Sequence, residues 1–173
     1  MINNAFSPWP SFTQEEVDIV QDILLSNKVN YWTGIECREF ENEFASWSGS
    51  KYAVAMSNGT VALDVALKAL EIGKGDEVVV TSRTFFASVS SIVNAGASPV
   101  FADVSRDTQN IDANTIRAVI GDKTKAIVCV HLAGWPCDMD EIIAIANEFD
   151  LRVIEDCAQA HGAKYKGRPV GSI

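Results

Sequence analysis

Within the stretch Leu151–Gly162 a short apolar run gives way abruptly to Glu155, Asp156, Gln159 and His161. Such a run reads as a buried strand. In an open parallel sheet the ligand crevice lies beyond the carboxyl ends of the strands, so these side chains would project into it. Neighbouring strand residues point to opposite faces, and at most one of the two acids can meet a ligand directly. Acids at such a position can also do no more than end a strand. Two further segments carry complementary chemistry. Ser57-Asn58-Gly59-Thr60 stands between an alternating apolar segment and a helical pattern, where free first-turn amides and the helix dipole favour a phosphate. Gly59 would admit an anion to the backbone and Thr60 could add a hydroxyl, although an Asn-Gly-Thr sequence also makes a plain turn and N-cap. Thr84-Phe85-Phe86 follows a second apolar strand. Two successive aromatics there cannot both point inward, so one is free to cover a planar ligand.

A phosphate cradle, an aromatic plate and a carboxylate from three strand ends describe a site for a flat, phosphorylated, protonatable heterocycle. Pyridoxal 5'-phosphate has all three features. The carboxylate would hold the pyridine nitrogen protonated; at ~4 Å and an effective dielectric of ~20 the attraction is about 4 kcal/mol. A protonated ring is the electron sink needed to stabilise a carbanion during transamination. Neither a Walker loop nor a Gly-x-Gly-x-x-Gly fingerprint competes with this reading.

Composition narrows the field further. The chain has 173 residues, 47% hydrophobic and 21% charged, which suits one soluble domain with an ordinary core. A net charge of -9 disfavours nucleic acid, whose phosphates need a basic footprint. No basic n-region with an apolar h-region opens the chain, and no apolar run approaches the ~20 residues that cross a bilayer. The four cysteines, Cys37, Cys129, Cys137 and Cys157, show no Cys-x-x-Cys spacing, so no metal site is expected. A reduced, cytoplasmic protein without membrane or nucleic-acid partners is the expectation.

The elements that must hold these residues begin with a capping box, Thr13-Gln14-Glu15-Glu16, which opens an amphipathic helix to about Leu25. A second box at Thr33–Glu36 opens another, with Cys37, Phe40, Phe44 and Trp47 on its buried stripe and Gly49 at its end. Strands are then expected at Tyr52–Met56, Glu77–Thr81, Pro99–Ala102, Lys125–Val130 and Leu151–Glu155. Helices are expected between them at Thr60–Leu70, Phe86–Ala95, Ala113–Ile120 and, capped by Asp138, Met139–Phe149. This alternation predicts an α/β fold, a three-layer α/β/α sandwich on a mostly parallel sheet. The helix after Thr60 is apolar nearly all round, which predicts cover on most sides, from a second chain or from chain beyond this sequence.

These motifs occur in the order found in the DegT/DnrJ/StrS family of sugar aminotransferases, fold-type I pyridoxal phosphate enzymes, which the chain resembles over nearly its whole length. The matching segments are Tyr31–Gly34, Glu39–Glu41, Ser57–Leu63, Gly75–Val80, Thr84–Ser88, Val100–Val104, Asn110–Asp112, Val130–Asp140 and Glu155–Gly162. The resemblance implies that Gly59 and Thr60 bind the cofactor phosphate and that Phe85 stacks on the ring. It also implies that Asp156 pairs with the pyridine nitrogen as the catalytic carboxylate, and that Gln159 bonds the ring hydroxyl. His131 and His161 read as buried hydrogen-bonding groups, while Tyr31 and Trp32 either line a sugar site or pack a loop.

In the family a lysine beyond the Gly171-Ser172 region forms the Schiff base, and none of the lysines before Ile173 matches it. Covalent catalysis of this type needs that amine. The expectation is therefore a truncated large domain (residues 35–173) preceded by a helical arm and substrate-side loop (residues 1–34), inactive alone. The parent would be a cytoplasmic homodimer moving an amino group from glutamate to a nucleotide-linked keto sugar, for surface-polysaccharide or deoxyaminosugar synthesis. Two alternatives stand beside it: a sugar dehydratase of the same family, with histidine in place of the lysine, and a non-catalytic module of the same fold.

Overall fold

In the computed structural model, which describes residues 10–173, four strands form one parallel sheet. They are β1 (Glu77–Thr81), β2 (Ser98–Ala102), β3 (Thr124–Val130) and β4 (Arg152–Asp156), in the order β2-β1-β3-β4. Helices α1 (Gln14–Ser26), α2 (Glu36–Ser48) and α3 (Gly59–Ala69) precede β1, and α4 (Ala87–Asn94), α5 (Ala113–Arg117) and α6 (Met139–Glu148) connect β1 to β2, β2 to β3 and β3 to β4. A two-stranded hairpin, β5 (Lys164–Tyr165) and β6 (Arg168–Pro169), is not among the expected elements; it turns at Lys166-Gly167, both at positive φ.

Because side chains alternate along a strand, the sheet builds two cores. Val78, Val80, Ala126, Val128 and Val130 pack with Leu67 of α3 and Ile92 of α4. Val79, Ile127 and Cys129 point the other way, on to Ile116 of α5 and Met139 and Ile142 of α6. Both faces are thus covered by helices, as the strand–helix repetition predicts, and strands buried on both sides read as continuous Val/Ile runs. Each such fully buried aliphatic side chain contributes about 1.5–3 kcal/mol.

Several local expectations are corrected. Tyr52–Met56 joins no ladder: Tyr52 is 75% and Val54 69% exposed, and the Ala55 amide donates to Glu41 Oε1 at 2.8 Å. The apolar alternation is there in the sequence, but among the described residues no strand pairs with this segment. The box at Thr13 forms as expected, whereas that at Thr33 does not. The Thr33 hydroxyl donates to Asn30 Oδ1, and α2 starts from Ile35 without a side-chain cap. Asp138 likewise leaves α6 uncapped, because its carboxylate accepts the Tyr165 hydroxyl. On α2 the buried residues are Ala45 and Ser48; Cys37, Phe40 and Trp47 are exposed. On α3 only Leu67 is buried, so this apolar helix carries far less cover than its composition calls for. The expected arm over 1–34 lies partly outside the described residues, and within α1 no residue is buried.

Candidate active site at the strand ends

β2 lies on one side of β1 and β3 on the other, so the direction of winding reverses at β1. In such sheets the crevice at that reversal, beyond the carboxyl ends of the strands, is the usual ligand position. The turn Ser82–Phe86 follows β1, the loop His131–Gly134 follows β3, and Asp156 closes β4. The pairing Val130↔Asp156 puts this acid on the face of the sheet that meets α4.

Asp156 is half-buried and its carboxylate is held at both oxygens. Oδ2 accepts the Ser88 hydroxyl at 2.7 Å and Oδ1 the Ala158 amide at 3.2 Å. None of the ion pairs among the described residues includes it. Ser88 in turn lies 2.8 Å from the Thr84 hydroxyl, which ties the carboxylate to the turn carrying Phe85. Phe85 and Phe86 are 70% and 75% exposed; neither fills the core.

Gln159 reaches the loop after β3, where its Oε1 accepts the Ala133 amide at 2.8 Å. Only the oxygen can accept from a backbone N–H, so the amide orientation is fixed and Nε2 remains a donor. Ala133 makes that contact from the left-handed region, at φ 53.

Gly59 and Thr60 occupy the first turn of α3. Asn58 caps the helix by accepting the Val61 amide at 3.0 Å, while the amides of the first two helical residues have no acceptor within the helix. A Cβ placed on Gly59 would meet nothing within 4 Å. Gly59 lines a cavity of about 570 Å³ with Phe40, Phe44, His161 and Gly171. Asp156, Phe85 and Gln159 do not line that cavity. Direct hydrogen bonding therefore unites Asp156 with the Phe85 turn and Gln159 with the β3 loop, while Gly59 lines a separate recess whose lining does not include Thr60. Another cavity, about 540 Å³ between Trp135, Asp138, Tyr165 and Lys166, contains none of these residues. Trp32 is 85% exposed and the Tyr31 hydroxyl donates to Glu41 Oε2 at 3.2 Å.

Glu155 faces the other way, paired with Cys129. Its Oε2 accepts from His131 Nε2 at 3.1 Å and the Gly171 amide at 2.9 Å, and its Oε1 accepts the Ile173 amide at 2.8 Å. His131 Nδ1 accepts the Cys137 amide at 3.0 Å, so Nε2 carries the ring proton. Burial pushes the Glu155 carboxyl up, but the His131, Gly171 and Ile173 donors outweigh it and hold the group below its ordinary range. Cys157 stands beside this pair, within 4.8 Å of it. Burial first, and then the charges of Glu155 and Asp156, push its thiol up to about 12. Both His131 nitrogens are engaged, so His131 and Glu155 form a hydrogen-bonded pair with the Cys157 thiol beside it. His161 departs from expectation: it is exposed, edge-on to Phe44 at 6.3 Å.

Ser88 and Ala133 were not singled out by sequence. The Thr84-x-x-x-Ser88 spacing sets a hydroxyl in the turn four residues before one in the first turn of α4, while the partner of Ser88 lies far along the chain.

Asp156 has no cationic partner among the described residues, the Phe85 ring is exposed and the Gln159 NH₂ is a free donor. A family model described as the DegT/DnrJ/EryC1/StrS aminotransferase family matches residues 10–173. A GDP-perosamine synthase of Escherichia coli O157:H7 is 47% identical over 168 residues, 95% of this chain and 45% of that protein. The spore coat polysaccharide biosynthesis protein SpsC of Bacillus subtilis (strain 168) is 43% identical over 172 residues, 98% of this chain and 44% of that protein. Among solved structures, an aminotransferase from Psychrobacter cryohalolentis superimposes with a TM-score of 0.94 at 70% identity, over 96% of this chain and 42% of that one. A GDP-4-keto-6-deoxymannose-3-dehydratase, solved with a trapped PLP-glutamate geminal diamine, gives a TM-score of 0.82 at 29% identity, over 91% of this chain and 42% of that one. The chain thus spans less than half the length of the relatives it matches.

Proposed function

Since the chain belongs to the DegT/DnrJ/EryC1/StrS aminotransferase family, we propose that it supplies the cofactor cradle of a pyridoxal 5'-phosphate-dependent sugar aminotransferase. The substrate is a nucleotide-linked keto sugar and the amino donor glutamate, in polysaccharide or deoxyaminosugar synthesis. The whole protein works as a cytoplasmic homodimer. Among the described residues no helix is long and apolar enough to cross a membrane.

One observation carries this reading. Asp156 is a half-buried carboxylate at the carboxyl end of β4, held at both oxygens and lacking a cationic partner among the described residues. A carboxylate partly withdrawn from water gains from an opposite charge beside it, and a pyridinium N–H would supply one. When bound, the ring supplies an electron sink for the carbanion formed as the amino group moves. Asp156 keeps the ring nitrogen protonated, and the Gln159 NH₂ donates to the ring oxygen. The Gly59 and Thr60 amides and the Thr60 hydroxyl hold the phosphate, and Phe85 covers one face of the ring. Asp156 and Gln159 are already held by hydrogen bonds, so these two groups reorganise little on binding.

The test uses the full-length protein. Incubation with pyridoxal phosphate, then borohydride, gives a cofactor stably attached to a lysine, and glutamate with a nucleotide keto sugar yields 2-oxoglutarate. Absence of a reducible adduct overturns the aminotransferase reading. The likeness to a 3-dehydratase favours a second reading, sugar dehydration with the same cofactor; there a histidine replaces the lysine, and deoxygenated sugar appears instead of amino sugar.

A further inference from the structure

Resting on that cofactor reading, we infer that Ser88 is a positioning residue for Asp156, and that a directed relay Thr84→Ser88→Asp156 sets the carboxylate against the ring and locks it to the turn bearing Phe85. A serine hydroxyl has a single proton and two lone pairs. That proton goes to Asp156 Oδ2, since an ionised carboxylate can only accept. The 2.8 Å contact with Thr84, in which either oxygen could donate, is thereby assigned: Thr84 donates and Ser88 accepts.

The surroundings of the relay fit a positioning role. Ser88 is fully buried, in the first turn of α4. That helix has no side-chain cap. With the Ala158 amide on Oδ1 and Ser88 on Oδ2, donors grip both oxygens and the carboxylate plane cannot swing about its last torsion. Two of roughly four lone-pair positions remain, enough for a ring N–H. Alanine would fill nearly the same volume, so what the serine adds is the bond. The relay also registers two parts of the proposed site, the end of β4 and the aromatic turn after β1, through a single hydrogen-bonded path.

The experiment compares Ser88→Ala, Ser88→Thr, Thr84→Val and Asp156→Asn in the full-length protein. Two quantities are read: the dissociation constant for pyridoxal phosphate by absorbance titration, and the circular dichroism band of the bound cofactor, which reports a fixed ring orientation. Ser88→Ala should weaken binding about tenfold, the scale of one lost bond to a charged group, and reduce the band. Ser88→Thr should restore both, and Thr84→Val should weaken binding a few-fold (roughly a third of that loss in free energy). Unchanged affinity and band in Ser88→Ala, or a lowered melting temperature with both intact, overturns the relay. If Ser88→Ala does not fold, Thr84→Val decides, and wild-type affinity and band there overturn the proposal. When Asp156→Asn weakens binding but Ser88→Ala does not, only the relay has failed. When the wild type binds no cofactor, or Asp156→Asn binds as well as wild type, the assignment of the site has failed and the relay falls with it.

Discussion

Glu155→Gln preserves the shape of the side chain that ties the end of β4 to Gly171 and Ile173, but leaves it one acceptor oxygen. In the native arrangement Oε2 takes the His131 ring N–H and the Gly171 amide, and Oε1 takes the Ile173 amide. The glutamine keeps the first two in its better orientation and turns its own NH₂ towards the Ile173 N–H. One bond to a charged acceptor disappears and a donor faces a donor in a side-chain environment only 9% exposed, which costs about 2–3 kcal/mol. At roughly 2–4 °C per kcal/mol for a domain of this size, Tm falls by about 4–12 °C. The acid dependence changes as well. Because the folded carboxyl is held below its ordinary value of 4.5, its contribution is complete above the unfolded value. It is lost as the pH drops through the folded one. Wild-type stability should therefore decline below about pH 5 more steeply than that of the variant. Urea unfolding over this range, with amide exchange at Gly171 and Ile173, measures both effects. Equal midpoints at neutral pH with both amides still protected would refute the three-donor latch.

Leu67→Ala, at the one buried position of α3, should cost about 2–5 kcal/mol in urea unfolding; a cost below 1 kcal/mol, roughly that of a surface site, would mean that α3 is not seated on the sheet. Asn58→Ala removes the acceptor of the Val61 amide and should lower stability by about 1 kcal/mol, seen as a fall in Tm, with Asn58→Asp retaining the cap. Gly171→Ala meets two obstacles: a backbone at φ +88 and a Cβ 3.2 Å from Cys157 Sγ. It should destabilise by at least about 1 kcal/mol, whereas the same change at Gly59, where φ is helical and the space open, should leave the fold intact.

The sheet was readable because its strands are short apolar runs punctuated by glycines, and β1, β2, β3 and β4 fall within a residue of the expected bounds. Asp156 and Glu155 were separated correctly by alternation alone, which needs no knowledge of partners. What escaped depended on groups distant in sequence. The Asp138 cap gives way to the Tyr165 hydroxyl, and Asn30 claims the Thr33 hydroxyl in a local turn that competes with the capping box. Phe40 and Trp47 have the helical spacing of a core stripe, but spacing cannot say whether anything lies opposite; in the structure they face outward. Tyr52–Met56 failed for the same reason: a strand needs a neighbour, and a one-dimensional pattern does not name it. At the site, the residue types at the strand ends were legible, while Ser88 and the Ala133 anchor emerged only from three-dimensional packing.

Two acids side by side on β4, one serving the scaffold and the other the crevice, make the parity of that strand a matter of identity. A single residue inserted or deleted between Leu151 and Glu155 would keep the strand and its composition but exchange the two neighbours' faces. Each would then meet the hydrogen-bond donors meant for the other. Length variation in this protein should therefore be confined to loops such as Ser105–Asn110, where an extra residue shifts no side chain from one side of the sheet to the other.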